Sequence, residues 1–341
     1  MWFPMICDPA FRSVVEAFRE GVGDGGAALS ITAGGRTVVD VWHGDWERDT
    51  VVNVFSVTKG WLAALAHRLV DNGSLDLDAP VSRYWPEFRA PVTVAQLLSH
   101  QAGLPALRAG LPAESLYSWD AMTSALAAET PWWEPGTGHG YHVVTFGWLV
   151  GEVLRRVTGE DVRTLVETEL GVPDLFVGLP EHADSRAAEL VNGGVAGDMP
   201  IPLPIAVKAL ANPPSLLVPG VANTLAWRRA QIPAANGHAS ARALASLYGG
   251  LTGLDVPVRS DGHDQVMNGN TRFGLGFMLP NEVRPFSPNP RAFGHPGAGG
   301  SLAFADPDTG IGFGYTTNRL VISTSGADAR WTTMVDELYQ I

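Results

Sequence analysis

Only two of the 23 basic residues in this 341-residue sequence are lysines, Lys59 and Lys208, and there is a single cysteine, Cys7. The lone cysteine excludes an intrachain disulfide, and with no Cys or His neighbour at ligand spacing it reads as a structural thiol. No apolar run is long enough to span a membrane. A net charge of −12 argues against nucleic acid or an anionic membrane surface as partner. Residues 1–9 carry neither a basic region nor a long apolar stretch, so no signal peptide is expected and the default location is cytoplasmic. His43-Gly44-Asp45 and His263-Asp264 are isolated, with no third ligand at metal spacing. They are expected to be loop residues, and neither a metal nor another cofactor is expected. Gly-x-Ser-x-Gly is absent, which argues against an α/β-hydrolase nucleophile. Hydrophobic content of 45% and charged content of 17% leave an ordinary globular chain, long enough for one large domain or two interleaved ones.

In a chain that meets its surface needs with arginine, Lys59 is conspicuous. It follows Ser56 by three residues in Asn53-Val54-Phe55-Ser56-Val57-Thr58-Lys59-Gly60-Trp61, and residues 61–70 have helical apolar spacing that ends at Asp71-Asn72-Gly73. Ser56 and Lys59 then share one face of the first turn, within reach of proton transfer. A serine hydroxyl is a poor nucleophile without a base, and a lysine serves as base only when its pKa is lowered. Val54, Phe55, Val57, Trp61 and Leu62 supply the apolar surroundings that lower it. Arginine, which stays protonated, cannot replace it. The competing reading is a capping serine followed by a surface lysine.

Along the chain, residues 11–20 read as a helix, and residues 27–33 and 36–42 as a hairpin turned at Gly34-Gly35. Residues 61–163 are mainly helical. A proline-rich stretch at 198–220 looks too broken for regular elements and reads as a lid or binding segment. Strand character returns at 273–279, 301–305 and 311–317, before a closing helix over 326–339. The expected fold is therefore α+β: one antiparallel sheet built from both chain ends and flanked by helices, with a helical subdomain inserted. The boundaries fall at 1–60 with 260–341 for the sheet subdomain and 61–259 for the helical one, the site lying in the cleft between them.

Two further places carry chemistry. Tyr141, in the glycine-flanked run Gly138-His139-Gly140-Tyr141-His142-Val143 before a helix, is well placed to enter a cleft, where a phenolate beside a cationic lysine would be a base. A buried tyrosine with a satisfied hydroxyl is the plainer reading. His142 lacks a nearby orienting carboxylate for a Ser-His pairing. Gly294-His295-Pro296-Gly297-Ala298-Gly299-Gly300 places four glycines in seven positions before a strand, letting backbone amides approach a ligand. It has neither a P-loop ending nor dinucleotide spacing. Trp132-Trp133 and residues 199–205 could line an apolar acyl pocket, or simply pack.

On these motifs the chain resembles the serine β-lactamase and penicillin-binding-protein superfamily, in its class C β-lactamase-like esterase branch, the family VIII carboxylesterases. Ser56-Val57-Thr58-Lys59 matches the family's Ser-x-x-Lys, Tyr141-His142-Val143 its Tyr-x-Asn, and His295-Pro296-Gly297 its Lys-Thr-Gly. Leu97-Leu98-Ser99-His100-Gln101-Ala102-Gly103-Leu104-Pro105 and Ile232-Pro233-Ala234-Ala235-Asn236-Gly237-His238 are similar to the same branch, and the resemblance covers residues 10–335. It implies that Ser56 is the acylated nucleophile and that Lys59 and Tyr141 move its proton, with the base left unassigned between them. It also implies an oxyanion hole from the amides of Ser56 and Ala298, and a substrate edge formed by His295, Gly297, His142 and Val143. Val143 replaces the motif asparagine and His295 its lysine, which points toward small or medium neutral esters as substrates rather than β-lactams. The same nucleophile would serve a transacylase, a D-amino-acid amidase or peptidase, or a weak β-lactamase. The alternative of another class is a non-catalytic ligand-binding relative.

Overall fold

The structure is a computed structural model that describes residues 5–197, 202–218, 220–323 and 327–341. Its centre is a six-stranded antiparallel sheet drawn from the two ends of the chain. We label its strands β1 (Ile6–Cys7), β2 (Ala27–Ala33), β3 (Arg36–His43), β4 (Phe293–Pro296), β5 (Leu302–Asp306) and β6 (Ile311–Thr317). Their spatial order is β1-β3-β2-β6-β5-β4. The β2–β3 hairpin turns at Gly34 and Gly35, with φ of 55° and 77°, so both central positions lie where glycine is strongly favoured. β2 meets β6 in register, Phe313 opposite Ile31 and Tyr315 opposite Leu29, which joins the two ends of the chain.

Because side chains alternate across a strand, the sheet has two apolar faces, each covered by helices. Leu29, Ile31, Val39, Phe304, Phe313 and Tyr315 pack with Val14 and Phe18 of α1 (Arg12–Gly21) and with Trp331 and Met334 of the closing helix. On the other face, Phe293, Ala303 and Ala305 join a cluster containing Trp61, Leu62 and Leu65 of α2 (Lys59–Asp71) and Leu244 and Tyr248 of a later helix. That cluster continues into Trp148, Leu149 and Val153 of α3 (Thr145–Thr158). Further along the chain come α4 (Pro204–Ala211), α5 (Ala241–Gly250) and the closing helix α6 (Ala329–Leu338). The α5 helix falls within residues 61–259 yet lies directly on the sheet. Gly249 and Gly312 are so close that a Cβ on Gly312 would stand 2.2 Å from the Gly249 nitrogen. Among the described residues, no helix is long and apolar enough to cross a membrane.

Several local expectations need correction. The 198–220 stretch is not without regular structure: Pro204 opens α4, because a first-turn proline gives up an amide that has no intrahelical acceptor anyway. The part of the acyl-pocket run at 199–201 lies outside the described residues, as does the expected start of the closing helix at Gly326. In place of a strand over 273–279, pairing over Asn270–Phe273 gives way to an irregular turn with Gly276 at φ 85°, and Met278 bridges to Gly294. A strand at Arg319–Ser323 pairs in parallel with Val191–Ala196, an element the sequence did not suggest.

Candidate active site

Ser56 sits in a 3-10 turn, Phe55–Thr58, that runs directly into α2. Phe55 is held at φ 46°, a left-handed conformation unusual for an aromatic residue, and bends the chain sharply just before the serine. Three contacts fix this bend. The Val54 amide donates to Gly237 O at 2.8 Å, the Gly237 amide donates to the Thr58 hydroxyl at 3.0 Å, and that hydroxyl donates back to Phe55 O. Gly237 has no room for a side chain, since a Cβ would stand 2.4 Å from Thr58 Oγ1.

Lys59 is fully buried, and its Nζ has three oxygen neighbours: Ser56 Oγ at 3.1 Å, Val143 O at 2.7 Å and Ala234 O at 3.0 Å. Burial holds its pKa well below the ordinary lysine value. A neutral amine has two N–H groups and one lone pair. The two carbonyls can only accept, so they take both N–H groups, and the lone pair is left facing the Ser56 hydroxyl. The first carbonyl belongs to the Tyr141 segment. The second belongs to the Ile232–His238 turn, which is pinned by Asn236: its Oδ1 accepts from Ile232 N, and its Nδ2 donates to Trp227 O and Ala230 O.

The Tyr141 ring lies under the amine, 4.8 Å from Nζ to the ring centroid. Its hydroxyl is 3.2 Å from His295 Nε2. His295 Nδ1 is 2.6 Å from Pro296 O, which can only accept, so Nδ1 carries the proton and Nε2 receives the Tyr141 O–H. Burial, then the neighbouring Lys59, pushes His295 down to about 3, so the ring is neutral at pH 7. Burial raises the Tyr141 phenol, although a hydrogen bond to Ser56 opposes the shift. Burial therefore works against both charged forms that the sequence invited, the ammonium of Lys59 and the phenolate of Tyr141.

Asp264, expected to be a loop residue, is instead a buried foundation of this arrangement. Its Oδ1 accepts from the amides of Tyr141 (3.1 Å), Val266 (2.8 Å) and Met267 (2.9 Å), and its Oδ2 from Tyr141 N (3.0 Å) and the Thr271 hydroxyl (2.7 Å). His100, at φ 60°, grips the same segment: its carbonyl accepts from Gly140 N and its Nδ1 from His142 N. Neither residue shows a local signal for this role, because each acts through backbone amides far away in sequence.

The structure also corrects the substrate-side assignment of His142. Its Nδ1 donates to Gly140 O at 2.7 Å and its Nε2 accepts from Leu104 N at 3.0 Å, leaving the buried ring no free polar atom for a ligand. Val143 enters the site through its carbonyl on Lys59. Its side chain belongs to an apolar cluster with Trp132, Trp133, Val266, Ile205 and Ala206 of α4.

The glycine loop after β4 packs against the serine turn, since a Cβ on Gly297 would meet Val54 O at 2.3 Å. The Gly297 amide is spent on Ser301 O at 2.7 Å. The amides of Ser56 and of the exposed Ala298 have no acceptor among the described residues. Ser56 itself is half-buried. Two surface clefts, of about 790 and about 460 Å³, open elsewhere, and neither is lined by Ser56, Lys59 or Tyr141.

A family model described as Beta-lactamase matches residues 11–334, nearly the whole chain. The chain belongs to the Beta-lactamase family. Within the family it is 35% identical to the esterase/β-lactamase LipL of Mycobacterium tuberculosis, over 92% of this chain and 82% of that one. A solved family VIII carboxylesterase superposes with a TM-score of 0.90 at 36% identity, covering 99% of this chain and 100% of the other. A penicillin-binding-protein homologue from Caulobacter crescentus gives a TM-score of 0.88 at 34% identity, again over 99% and 100% of the two chains. The α+β architecture of this family member, with its helix-flanked antiparallel sheet, is the one these neighbours share.

Proposed function

We propose that this Beta-lactamase family protein is a serine esterase that cleaves small to medium carboxylic esters through an acyl-enzyme on Ser56. The observation that carries the reading is the buried Lys59 amine, its pKa lowered by burial, with Val143 O and Ala234 O to accept its N–H groups and Ser56 Oγ 3.1 Å away. Kinship with LipL and with a family VIII carboxylesterase supports the ester as the bond cleaved.

In this mechanism Lys59 takes the Ser56 proton as Oγ attacks the ester carbonyl, and the amides of Ser56 and Ala298 receive the oxyanion. Protonation turns Lys59 into a buried cation close to the Tyr141 ring. The new charge favours loss of the phenol proton, so Tyr141 becomes a better acid at the moment the tetrahedral intermediate needs one. The phenol protonates the departing alkoxide and is recharged from Lys59. Water then attacks the acyl group, giving its proton to the regenerated amine, and Lys59 passes that proton to Ser56 Oγ as the carboxylic acid departs. Neutral His295 holds the phenol in place by accepting from it. The apolar cluster of Trp132, Trp133, Val266 and α4 beside Val143 would take the acyl chain.

The role of Tyr141 gives the test. p-Nitrophenolate leaves without help from an acid, whereas an alkoxide does not. Tyr141→Phe should therefore lower kcat on ethyl butyrate by about 10²-fold or more, and on p-nitrophenyl butyrate by roughly tenfold less than that. Equal losses on the two esters would remove Tyr141 from leaving-group protonation.

A further inference from the structure

One side chain of the closing helix reaches the glycine loop beside Ser56. Arg330 stands in the first turn of α6, and Asp328 caps that helix by accepting from the Arg330 amide at 3.0 Å. The same carboxylate takes the Arg330 side chain at two points, Oδ1 from Nε at 2.9 Å and Oδ2 from Nη2 at 2.5 Å, which fixes the plane of the guanidinium. The two side chains are only 11% and 9% exposed. The guanidinium also holds main chain: Nη1 donates to Arg319 O at 2.7 Å and Nη2 to Gly299 O at 2.6 Å. Glycine at 299 and 300 makes this approach possible. A Cβ on Gly300 would stand 2.0 Å from Nη2 and 2.7 Å from Asp328 Oδ2, and one on Gly299 would stand 2.3 Å from Leu320 Cδ2. Two of the loop's glycines therefore make room for this clamp.

A peptide group is planar, so fixing its C=O also fixes its N–H. Gly299 C=O and Gly300 N–H belong to one such plane. The carbonyl accepts from Arg330 Nη2 and from Val321 N (3.3 Å), and the N–H donates to Gly297 O at 3.1 Å. Gly297 C=O is one end of a second plane, and its other end is the free Ala298 N–H that the proposed mechanism assigns to the oxyanion. Two linked peptide planes thus run from the guanidinium to that amide. We infer that Arg330 is a positioning residue for the oxyanion hole, holding the Ala298 amide in the orientation that the tetrahedral intermediate needs. An oxyanion donor is effective because it is fixed before the charge develops. A loop free to rotate these peptides would bind the ester as well and stabilise the intermediate less. The inference rests on the esterase reading for the role of the Ala298 amide.

The test uses the full-length enzyme with p-nitrophenyl butyrate as substrate and n-butylboronic acid as probe. The boronate bonds to a serine Oγ and becomes a tetrahedral anion, so its affinity, followed by calorimetry, reports on the oxyanion hole without turnover. Arg330→Lys keeps the charge but loses the planar fork that reaches Asp328 and Gly299 together. It should lower kcat per fluorophosphonate-titrated site by about tenfold or more, with KM changed by no more than about twofold, and weaken boronate binding by a similar factor. Asp328→Asn retains the helix cap and withdraws the charge that orients the guanidinium, so it carries the test where Arg330→Lys does not fold. It should lower kcat and boronate affinity by about threefold or more, again at constant KM. A rise in KM alone, with kcat and boronate affinity unchanged, would mean that Arg330 shapes ester binding, and would overturn the inference. An active wild type whose kcat and boronate affinity are unmoved in the folded variant would overturn it alone. A wild type that neither hydrolyses the ester nor binds the boronate would overturn the esterase reading, and the inference with it.

Discussion

Replacing Lys59 with methionine is expected to lower kcat/KM on p-nitrophenyl butyrate by about 10³-fold or more while leaving a folded protein. The two side chains are similar in length and unbranched, so the cavity stays filled. The base is lost, and Val143 O and Ala234 O lose their donor, at about 1–3 kcal/mol each. Against this, the variant no longer has to bury an amine. That term depends on pH in a direction fixed by the depressed pKa of Lys59. Between its folded and unfolded pKa values the unfolded chain binds one more proton than the native protein, so wild-type stability rises with pH across that window. Below the folded pKa the native amine must carry its charge in an apolar site, and the penalty is then complete. Thermal unfolding of both proteins from about pH 7 to about pH 10 should therefore show the wild type gaining on Lys59→Met as pH rises. A constant difference would mean that Lys59 is protonated in the folded state throughout, and the amine would then be no base at rest.

Ser56→Ala is expected to be the most damaging single change, lowering kcat by about 10⁴-fold or more on any ester, with little effect on folding. Ser56 is half-buried, and its hydroxyl meets only the Lys59 amine and the Tyr141 phenol among side chains, both of them site residues. The bend that presents it is held by Val54, Thr58 and Gly237 and does not need the hydroxyl. Residual turnover would come from the two free amides and from substrate positioning, which survive the substitution. Unfolding midpoints within about 3 °C of the wild type would separate loss of the nucleophile from loss of the fold.

The parts of this arrangement that could be read from the sequence are those encoded locally. The Gly34-Gly35 hairpin, the period of α2 and the pairing of a serine with a rare lysine three residues on are all short-range patterns, and each appears in the structure where the sequence suggested. Tyr141 and the glycine loop were legible because clustered glycines mark a backbone that must come close to something else. What stayed hidden depends on contacts between distant segments. Asp264 supports Tyr141 through an amide 123 residues away, and His100 grips the same loop from 42 residues away. Ala234 O reaches Lys59 across 175 residues. In a sequence, Asp264 looks like a loop acid and His142 like a candidate ligand. Burial and hydrogen-bond partners reverse those readings: the first becomes a foundation and the second a spacer held by Gly140 and Leu104. The α4 helix was missed for a different reason, because its prolines lie at or beyond its ends, where they are tolerated, but read together as breakers.

Acylation of Ser56 is the step on which every other proposed role depends. The most direct measurement is intact mass spectrometry after treatment with a fluorophosphonate, followed by peptide mapping. One adduct per chain, located on the peptide containing Ser56 and absent from Ser56→Ala, is the predicted result. No adduct on the wild type, or one that persists when Ser56 is replaced, would contradict it.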